Sequence, residues 1–215
     1  MTGERRVLDG AVDFTMMYVA HDAFTRDLRR MARASERGQA WTAEAQAGWA
    51  MFTKQLHVHH TTEDTSLWPR LRAQPLRPDE VAVMDAMEAE HAQIDPQLER
   101  VDRALAERDA DGLVDGVHAL AAGLSAHMRH EENEALPLVE TYLGPAGWAA
   151  FGRDIRRTQG LRAGAAYLPW VLDSAAPEMR AKVLDVLPLP ARILCRRVWE
   201  PRYRRTVPWG DPVSR

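Results

Sequence analysis

The feature that most constrains the fold of this chain is a sequence motif that occurs twice. The two copies are the stretches Leu56–Pro69 (LHVHHTTEDTSLWP) and Leu124–Pro137 (LSAHMRHEENEALP). Each contains a histidine, a glutamate four residues later and a proline ten residues after the histidine. Residues four apart lie on one face of an α-helix, so each copy presents an imidazole and a carboxylate to the same region of space. The pairs are His59 with Glu63 and His127 with Glu131.

A lone histidine precedes each copy of the motif at a nearly equal distance. His21 precedes the first copy and His91 the second, and each is followed by a leucine seven residues later. We therefore interpret the chain as two similar halves, each with one helix carrying a lone histidine and one carrying the His–Glu pair. Antiparallel packing of these helices about a pseudo-two-fold axis would bring four imidazoles and two carboxylates together. That is the composition of a dinuclear metal site in a helix bundle.

The alternative is a bundle whose histidines and glutamates are buried and hydrogen bonded only to one another. Burying four imidazoles and two carboxylates without a metal ion is costly, because charge without a partner is strongly destabilising in a protein core. We therefore expect metal binding. Mixed histidine and carboxylate ligation suits iron or manganese, and zinc is a further alternative because relative affinities do not exclude it.

The hydrophobic periodicity predicts four long helices joined by short connections. We expect them over about 11–34, 42–72, 78–108 and 113–143. Pro96 is expected to kink the third helix, and Gly144 with Pro145 to end the fourth. The predicted fold is an all-α, up-down-up-down four-helix bundle followed by an extension of short helices.

The predicted domain boundary follows residue 145, where the composition changes. Residues 1–145 form the predicted bundle, and residues 146–215 form an extension rich in Pro, Trp and Arg, which recurrent proline should divide into short helices. We expect its Trp and Leu side chains to pack on the bundle and its arginines to point outward, or to serve a homo-oligomer or protein partner. The alternative is a basic and aromatic patch for a membrane surface or nucleic acid.

Composition limits the remaining classes of function. The 215 residues are 46% hydrophobic, enough for a substantial core, and the net charge of −3 argues against general nucleic-acid binding. The single cysteine, Cys195, excludes an internal disulfide and disfavours a thiolate metal cluster. No apolar run is long enough for a membrane span, and the N-terminus lacks the apolar core of a signal peptide. We expect a cytoplasmic protein.

Several titratable residues flank the six candidate ligands. His60, directly after His59, is either a further ligand or a residue at the edge of the site. Asp95 is a candidate ligand or acts locally beside Pro96, and Glu88 is a candidate partner for His91. The others are expected to be exposed at the surface: His57, Asp64, His118, Glu132 and His130, the last paired with Glu134.

Taken together, these residues resemble the hemerythrin family, and more closely its bacterial HHE cation-binding domains. The similarity lies in HHxxED…LWP of the second helix and HxxxEE…LP of the fourth, and it extends over about residues 10–145. The resemblance implies a non-haem di-iron centre. It further implies that Glu63 and Glu131 bridge the ions and that His21, His59, His91 and His127 are terminal ligands.

Two positions depart from the oxygen-carrying members of the family. Those proteins have HxxxH on the third helix, whereas Met87 stands four residues before His91. His60 or Tyr18 could replace the missing ligand. The fourth-helix acid follows its histidine by four residues instead of five, and Glu132 at the fifth position is the alternative bridge. Both differences argue against reversible oxygen transport and favour reaction with oxygen, peroxide or NO.

The predicted function is that of a non-haem di-iron protein that reacts with oxygen or peroxide, by catalase-like or oxidase-type chemistry. The alternative is a sensor or binding module for oxygen, NO or iron, without turnover. Iron storage is disfavoured because the sequence indicates a single compact site. An apolar channel beside the site, covered by the Trp-rich extension, would favour oxygenation of a small metabolite.

Overall fold

The computed structural model describes residues 8, 10–206 and 209, and the side chains of these except 158–163. The described chain is helical and contains no strand. Its α-helices are α1 (Thr15–Glu36), α2 (Ala43–Thr62), α3 (Trp68–Arg72), α4 (Pro78–Glu107), α5 (Ala110–His130), α6 (Leu136–Leu138), α7 (Gly144–Leu172), α8 (Pro177–Asp185), α9 (Leu189–Leu194) and α10 (Glu200–Thr206). Wider π-helical turns occupy Glu63–Leu67, Glu131–Ala135, Val139–Leu143 and Cys195–Trp199.

The helix starts follow ordinary capping chemistry. The Thr42 hydroxyl accepts a hydrogen bond from the Ala45 amide at the start of α2, and the Asp109 carboxylate accepts one from the Gly112 amide at the start of α5. α4 begins at Pro78, where proline lacks only an amide hydrogen that the helix does not use. The starts of α2 and α4 agree with the positions predicted from the sequence, whereas α5 begins at Ala110, three residues before the predicted start.

The four predicted long helices are present as four long helical stretches. α2 continues through Glu63–Leu67 and α3, and α5 continues through two π-turns to Leu143, where Gly144 has a positive φ of 57°. α1 packs against α2 and α5, and α4 packs against α5. The all-helical fold and the stop at Gly144 are confirmed. α4 continues past Pro96, and the kink there stays a prediction.

The core consists of two hydrophobic clusters, with the candidate metal ligands between them. The first cluster contains Phe24 and Ile94, and the second contains Tyr18 and Met87. Along α1 the chain passes from Tyr18 in the second cluster, through His21, to Phe24 in the first. α4 repeats this order with Met87, His91 and Ile94, whereas the α2 and α5 stretches pass through the clusters in the opposite order. This pattern supports the alternating direction of the four helices, which stays a prediction.

The π-turns share a sequence signal that concerns proline. Each of the four described π-turns begins six residues before a proline: Pro69, Pro137, Pro145 and Pro201. A proline ring lacks an amide hydrogen and clashes with the carbonyl four residues earlier in a regular α-helix. One extra residue in the preceding turn moves that carbonyl away. The first two π-turns begin at Glu63 and Glu131, so the widened turns start within the motif itself.

The extension differs from its prediction in one respect. Residues 144–172 form a single 29-residue helix, α7, so the expectation that proline divides the whole segment into short helices is wrong for this part. Pro145 occupies the first turn, where the missing amide would have no partner in the helix anyway. Pro169 lies inside the helix and removes one hydrogen bond, but only three residues of α7 follow it. α8, α9 and α10 are short, as expected.

The end of α7 is held on α1 by a buried tryptophan and ionic contacts. The Trp170 indole donates a hydrogen bond of 2.7 Å to Asp27, and both side chains are fully buried. Arg26 donates to the backbone oxygens of Trp170 and Asp173 at 2.8 and 2.6 Å. Trp170 belongs to the same hydrophobic cluster as the bundle residue Phe24. In the described residues, no helix is long and apolar enough to cross a membrane.

Candidate metal centre

Six side chains form two groups of three candidate ligands in the centre of the bundle. The first group is His21, His59 and Glu131, and the second is His60, His91 and His127. Within each group the ligand atoms lie within 4.8 Å of one another. The groups draw on α1, α2, α4, α5 and the π-turn at the end of α5. The structure thus brings together predicted site residues that are far apart in sequence.

The first group centres on the Nε2 atoms of two histidines. His21 Nε2 lies 3.3 Å from His59 Nε2 and 3.1 Å from Glu131 Oε2. The Glu63 carboxylate also reaches this group, with Oε1 at 3.2 Å from His59 Nε2. Two imidazole nitrogens and one carboxylate therefore lie close together, and a second carboxylate contacts one of the two imidazoles.

The second group has a matching arrangement with one additional imidazole. His91 Nε2 lies 3.0 Å from His127 Nε2, and 3.8 Å from the other oxygen of Glu63. The His60 ring stacks on His91 with 4.0 Å between ring centroids. Glu63 thus has one oxygen directed at each group. His60 has no counterpart in the first group, because the residue after His127 is Met128.

Both motif glutamates are fully buried without the hydrogen bonds that such carboxylates normally make. Glu63 and Glu131 are each 0% exposed, and none of their four side-chain oxygens has a hydrogen-bond partner. Their histidine neighbours are close enough for charge interaction but do not meet hydrogen-bond geometry. His60 Nε2 is likewise buried and without a partner. Buried polar atoms without partners are costly, and a cation between the groups would satisfy all of them. These residues fit a metal ion.

Carboxylates outside the centre orient three of the histidines. His21 Nδ1 lies 2.7 Å from Glu132, His91 Nδ1 lies 2.8 Å from Asp64, and His127 Nδ1 lies 2.9 Å from Glu90. A carboxylate at Nδ1 holds the proton on that nitrogen and turns Nε2 towards the centre, as the nitrogen that a metal ion would bind. The contacts of Glu132 and Asp64 are related by the two-fold repeat of the chain, since each acid directly follows its motif glutamate.

The orienting roles of Glu132, Asp64 and Glu90 were not predicted from the sequence. Glu132 was expected to be exposed, but it is 6% exposed and hydrogen bonded to His21. Asp64 is exposed as predicted, yet it also reaches His91. Helical-wheel angles assume a regular α-helix, whereas both acids lie in π-turns, in which successive residues rotate by a smaller angle. The sequence feature that could have indicated these roles is the second acid that directly follows the glutamate in both motifs, Asp64 and Glu132.

Two other predicted partners are different in the structure. His130 pairs with Glu90 at 2.7 Å, so the expected pairing with Glu134 is wrong. Glu88 pairs with Arg72 at the surface, and the carboxylate that orients a site histidine from α4 is Glu90. The predicted partner, Glu88, lies three residues before His91. Glu90, directly before His91, is the residue that faces α5.

The remaining candidates lie outside the two groups. His57 is exposed, and His118 is exposed and paired with Glu36 at 3.2 Å, as predicted for surface histidines. The Tyr18 hydroxyl accepts a hydrogen bond from the Leu8 amide at 3.4 Å. Asp95 is exposed on α4.

Burial and mutual repulsion shift the pKa values of the central groups. Burial raises the pKa of Glu63 well above its usual range, and the charge of Glu131 raises it further. Burial and neighbouring histidines lower the pKa values of His59 and His60 well below normal. For His21, burial acts to lower the pKa, but the negative charges of the adjacent Glu131 and Glu132 and the hydrogen bond to Glu132 outweigh it and raise the pKa to about 9. The centre therefore holds protons where a cation would place positive charge.

Two clefts reach the second group from the surface. One, of about 280 Å³, lies between α2 and α4 and is lined by His60, His91 and Asp95 among others. The other, of about 400 Å³, lies between α4 and α5 and is lined by His127 and His130 among others. The first group instead contacts aromatic side chains: Phe24 lies 5.2 Å from the His59 ring and 5.0 Å from Trp170, between ring centroids.

A helical protein whose buried histidines and glutamates converge from separate helices belongs to the class of helical cation-binding proteins. A family model for the hemerythrin HHE cation-binding domain matches residues 12–139, which is more than half of the chain. The chain is a member of that family. Comparisons with curated proteins and with solved structures give no match.

Proposed function

We propose that this chain holds two iron ions and uses them to react with oxygen or peroxide. Glu63 and Glu131 would bridge the ions, with His21 and His59 as terminal ligands of the first ion. His60, His91 and His127 would be the terminal ligands of the second. Manganese or zinc are the alternatives that the same ligand types allow.

The observation that carries the proposal is the set of four carboxylate oxygens buried without hydrogen bonds between two histidine groups. Glu63 supports the bridging role because its two oxygens are directed at different groups. Glu132, Asp64 and Glu90 support the ligand role of their histidines by holding protons on Nδ1 and leaving Nε2 available.

A pair of redox-active ions supplies Lewis acidity and electrons for the reduction of oxygen or peroxide. The chain supplies the environment. Phe24 packs against the His59 ring and Trp170 packs against Phe24, and the two clefts give small molecules access to the second group. The first group offers two imidazoles and the second three, so the first leaves more room for an added ligand such as oxygen, peroxide or NO.

The test is the metal content and optical spectrum of the purified protein, before and after addition of peroxide. We expect about two irons per chain, a near-ultraviolet band from bridged iron, and oxygen evolution measured with an oxygen electrode. Glu63→Gln should lose metal and activity together. Glu36→Gln is the matched control, because Glu36 forms a His–Glu pair with His118 at the surface, away from the two groups.

Two outcomes would contradict the proposal. A protein expressed with ample iron that folds fully and contains no metal would contradict metal binding itself. Two irons with no change on addition of oxygen or peroxide would contradict the redox role.

One observation favours a second candidate, a sensor of oxygen, NO or iron. Trp170 of the extension packs on Phe24 of α1, and Phe24 contacts the His59 ring, so a change at the first group would reach α7 through one intervening side chain. A sensor would change the exposure or packing of α7 when the ligand binds, without catalytic turnover. Hydrogen exchange of α7 with and without NO distinguishes the two candidates.

A further inference from the structure

The extension carries a concentrated patch of exposed apolar side chains. Five large apolar residues are exposed in the described chain, and four of them lie within residues 186–194. The fifth, Val81, is on α4 and is the least exposed, at 38%. The four in the patch are Val186 (53%), Leu189 (65%), Ile193 (52%) and Leu194 (44%). Exposed apolar residues scattered singly need no explanation, whereas a concentration of this kind marks an interaction site.

The local structure directs these side chains away from the core. Pro188 and Pro190 bracket the start of α9, and Val186 lies just before this turn. On α9, Leu189 and Ile193 are four residues apart and share a face, with Leu194 adjacent to it. Cys195 follows on the opposite side and is fully buried. The patch is therefore the outer face of a helix whose inner face is anchored.

Arginines without acidic partners adjoin the patch. Residues 185–206 contain six arginines and two acids, Asp185 and Glu200, although the whole chain has a net charge of −3. Arg192 is already paired with Asp185 at 3.3 Å. Arg196 and Arg197 are exposed and lie one turn beyond the apolar residues, and they form no ion pair with any described residue. Glu200 is buried and already pairs with Arg180 at 2.6 Å. The positive charge of Arg196 and Arg197 is thus left for a partner outside the chain.

We propose that the surface formed by residues 186–197 docks on anionic lipid bilayers. Arg196 and Arg197 would contact the lipid headgroups, and Leu189, Ile193 and Leu194 would enter the boundary between headgroups and acyl chains. A short amphipathic segment with basic and apolar residues binds membranes in this way, without crossing them. The side chains project outward and line neither of the two described clefts, which favours a lipid surface over a groove-shaped protein site. The charge of the patch requires that the surface be negative.

The test is co-sedimentation of the full chain with two kinds of vesicle. One is phosphatidylcholine alone, and the other is phosphatidylcholine mixed with an equal amount of phosphatidylserine. We expect binding to the mixed vesicles only, weakening as salt is raised. Arg196→Gln/Arg197→Gln should weaken binding by roughly fivefold per arginine removed. Leu189→Ser/Ile193→Ser should weaken it at least as much.

Matched control variants make the same changes elsewhere on the surface. Val81→Ser removes an exposed apolar side chain from α4, and Arg103→Gln/Arg129→Gln removes two exposed arginines from α4 and α5. Both should bind like the parent chain. Far-ultraviolet circular dichroism checks that every variant is folded, which we expect because all the altered residues are exposed.

Three results would overturn the proposal. They are no sedimentation with the mixed vesicles, equal binding to both kinds of vesicle, and equal weakening by the control variants. If the chain ignores vesicles but binds immobilised polyglutamate through Arg196 and Arg197, the surface serves an acidic protein and the lipid proposal is wrong. None of these results depends on the metal content of the bundle.

Discussion

Glu63 and Glu131 are held in the core without hydrogen bonds, so the metal-free protein contains an unfavourable arrangement that an ion would relieve. Glu63→Gln keeps the shape of the side chain and removes its charge. In the presence of a chelator, we expect the variant to melt at the same temperature as the parent or higher, because Gln avoids the repulsion with Glu131. With the ion at about 100 times its Kd, the parent should gain about 2.7 kcal/mol and the variant much less.

Thermal unfolding with chelator and with added ion measures both effects. Glu36→Gln is the control and should match the parent in both conditions, since Glu36 is exposed. An equal gain on addition of metal for Glu63→Gln and the parent would show that Glu63 does not bind the ion.

Asp64 and Glu132 occupy equivalent positions in the two motifs, so their substitution should have equivalent effects on metal binding. Asp64→Asn and Glu132→Gln each remove the carboxylate that holds a site histidine by Nδ1, on His91 and His21 respectively. Each variant should lower metal affinity by about 10- to 100-fold while leaving the ligands in place. Competition titration against a chromophoric chelator gives the affinities. Asp85→Asn is a suitable control, since Asp85 pairs with Arg72 at the surface, and an unchanged affinity in both test variants would contradict the orienting role.

At the level of helices, the contact between α7 and α1 depends on the buried pair of Trp170 and Asp27. Trp170→Phe keeps an aromatic ring but leaves a fully buried carboxylate without its indole donor, which should cost about 1–3 kcal/mol. Trp148→Phe is the control, because the Trp148 indole donates to the Asp13 carbonyl at an exposed position. We expect it to cost about 1 kcal/mol or less. Urea unfolding measures both variants, and equal costs would contradict a special role for the buried pair.

Asp173, which pairs with Arg30 where α7 meets α1, should make the stability of the protein depend on pH. Burial acts to raise the pKa of Asp173, but the hydrogen bond from Arg30 and the charges of Arg26 and Arg30 outweigh it and lower the pKa. A lowered pKa stabilises the fold at pH above the ordinary aspartate value of about 4, and this stability is lost as the pH falls through the folded-state pKa. Asp173→Asn should therefore destabilise the protein at neutral pH, with a difference from the parent that shrinks in acid. A difference in unfolding free energy that stays constant with pH would contradict this assignment.

The helices and the central residues were predictable because they depend on spacing that the sequence states directly. Four long periodic stretches gave four helical stretches, and His60 was a candidate ligand from its place beside His59. The orienting roles of Asp64 and Glu132 were missed because the π-turns change the helical angle at these two residues. The length of α7 was missed because Pro145 starts the helix and the next proline, Pro169, comes only three residues before its end, so the stretch between them contains no proline to divide it.

For the molecule as a whole, the candidate ligands and the extension belong to one continuous structure. The ligands lie on four helical stretches and each group draws on three of them, so the two proposed ions together would connect all four. The extension contributes Trp170, Val183 and Cys195 to the same hydrophobic cluster as Phe24 and Phe52 of the bundle. The division into a bundle of residues 1–145 and an extension of residues 146–215 rests on the change in composition. Hydrogen exchange can show whether the two parts unfold together.

Shared packing leads to a prediction about metal removal. If the extension and bundle unfold together, removing the ion should lower protection against hydrogen exchange by the same factor in both. For an ion at about 100 times its Kd, that factor is about 100-fold for amides that exchange only by global unfolding. Mass spectrometry separates peptides of α5 from peptides covering the last turns of α7, so the two effects are measured in one sample. Loss of protection in α5 alone would show that the extension is an independent unit, and that the contacts of Trp170 do not couple it to the metal centre.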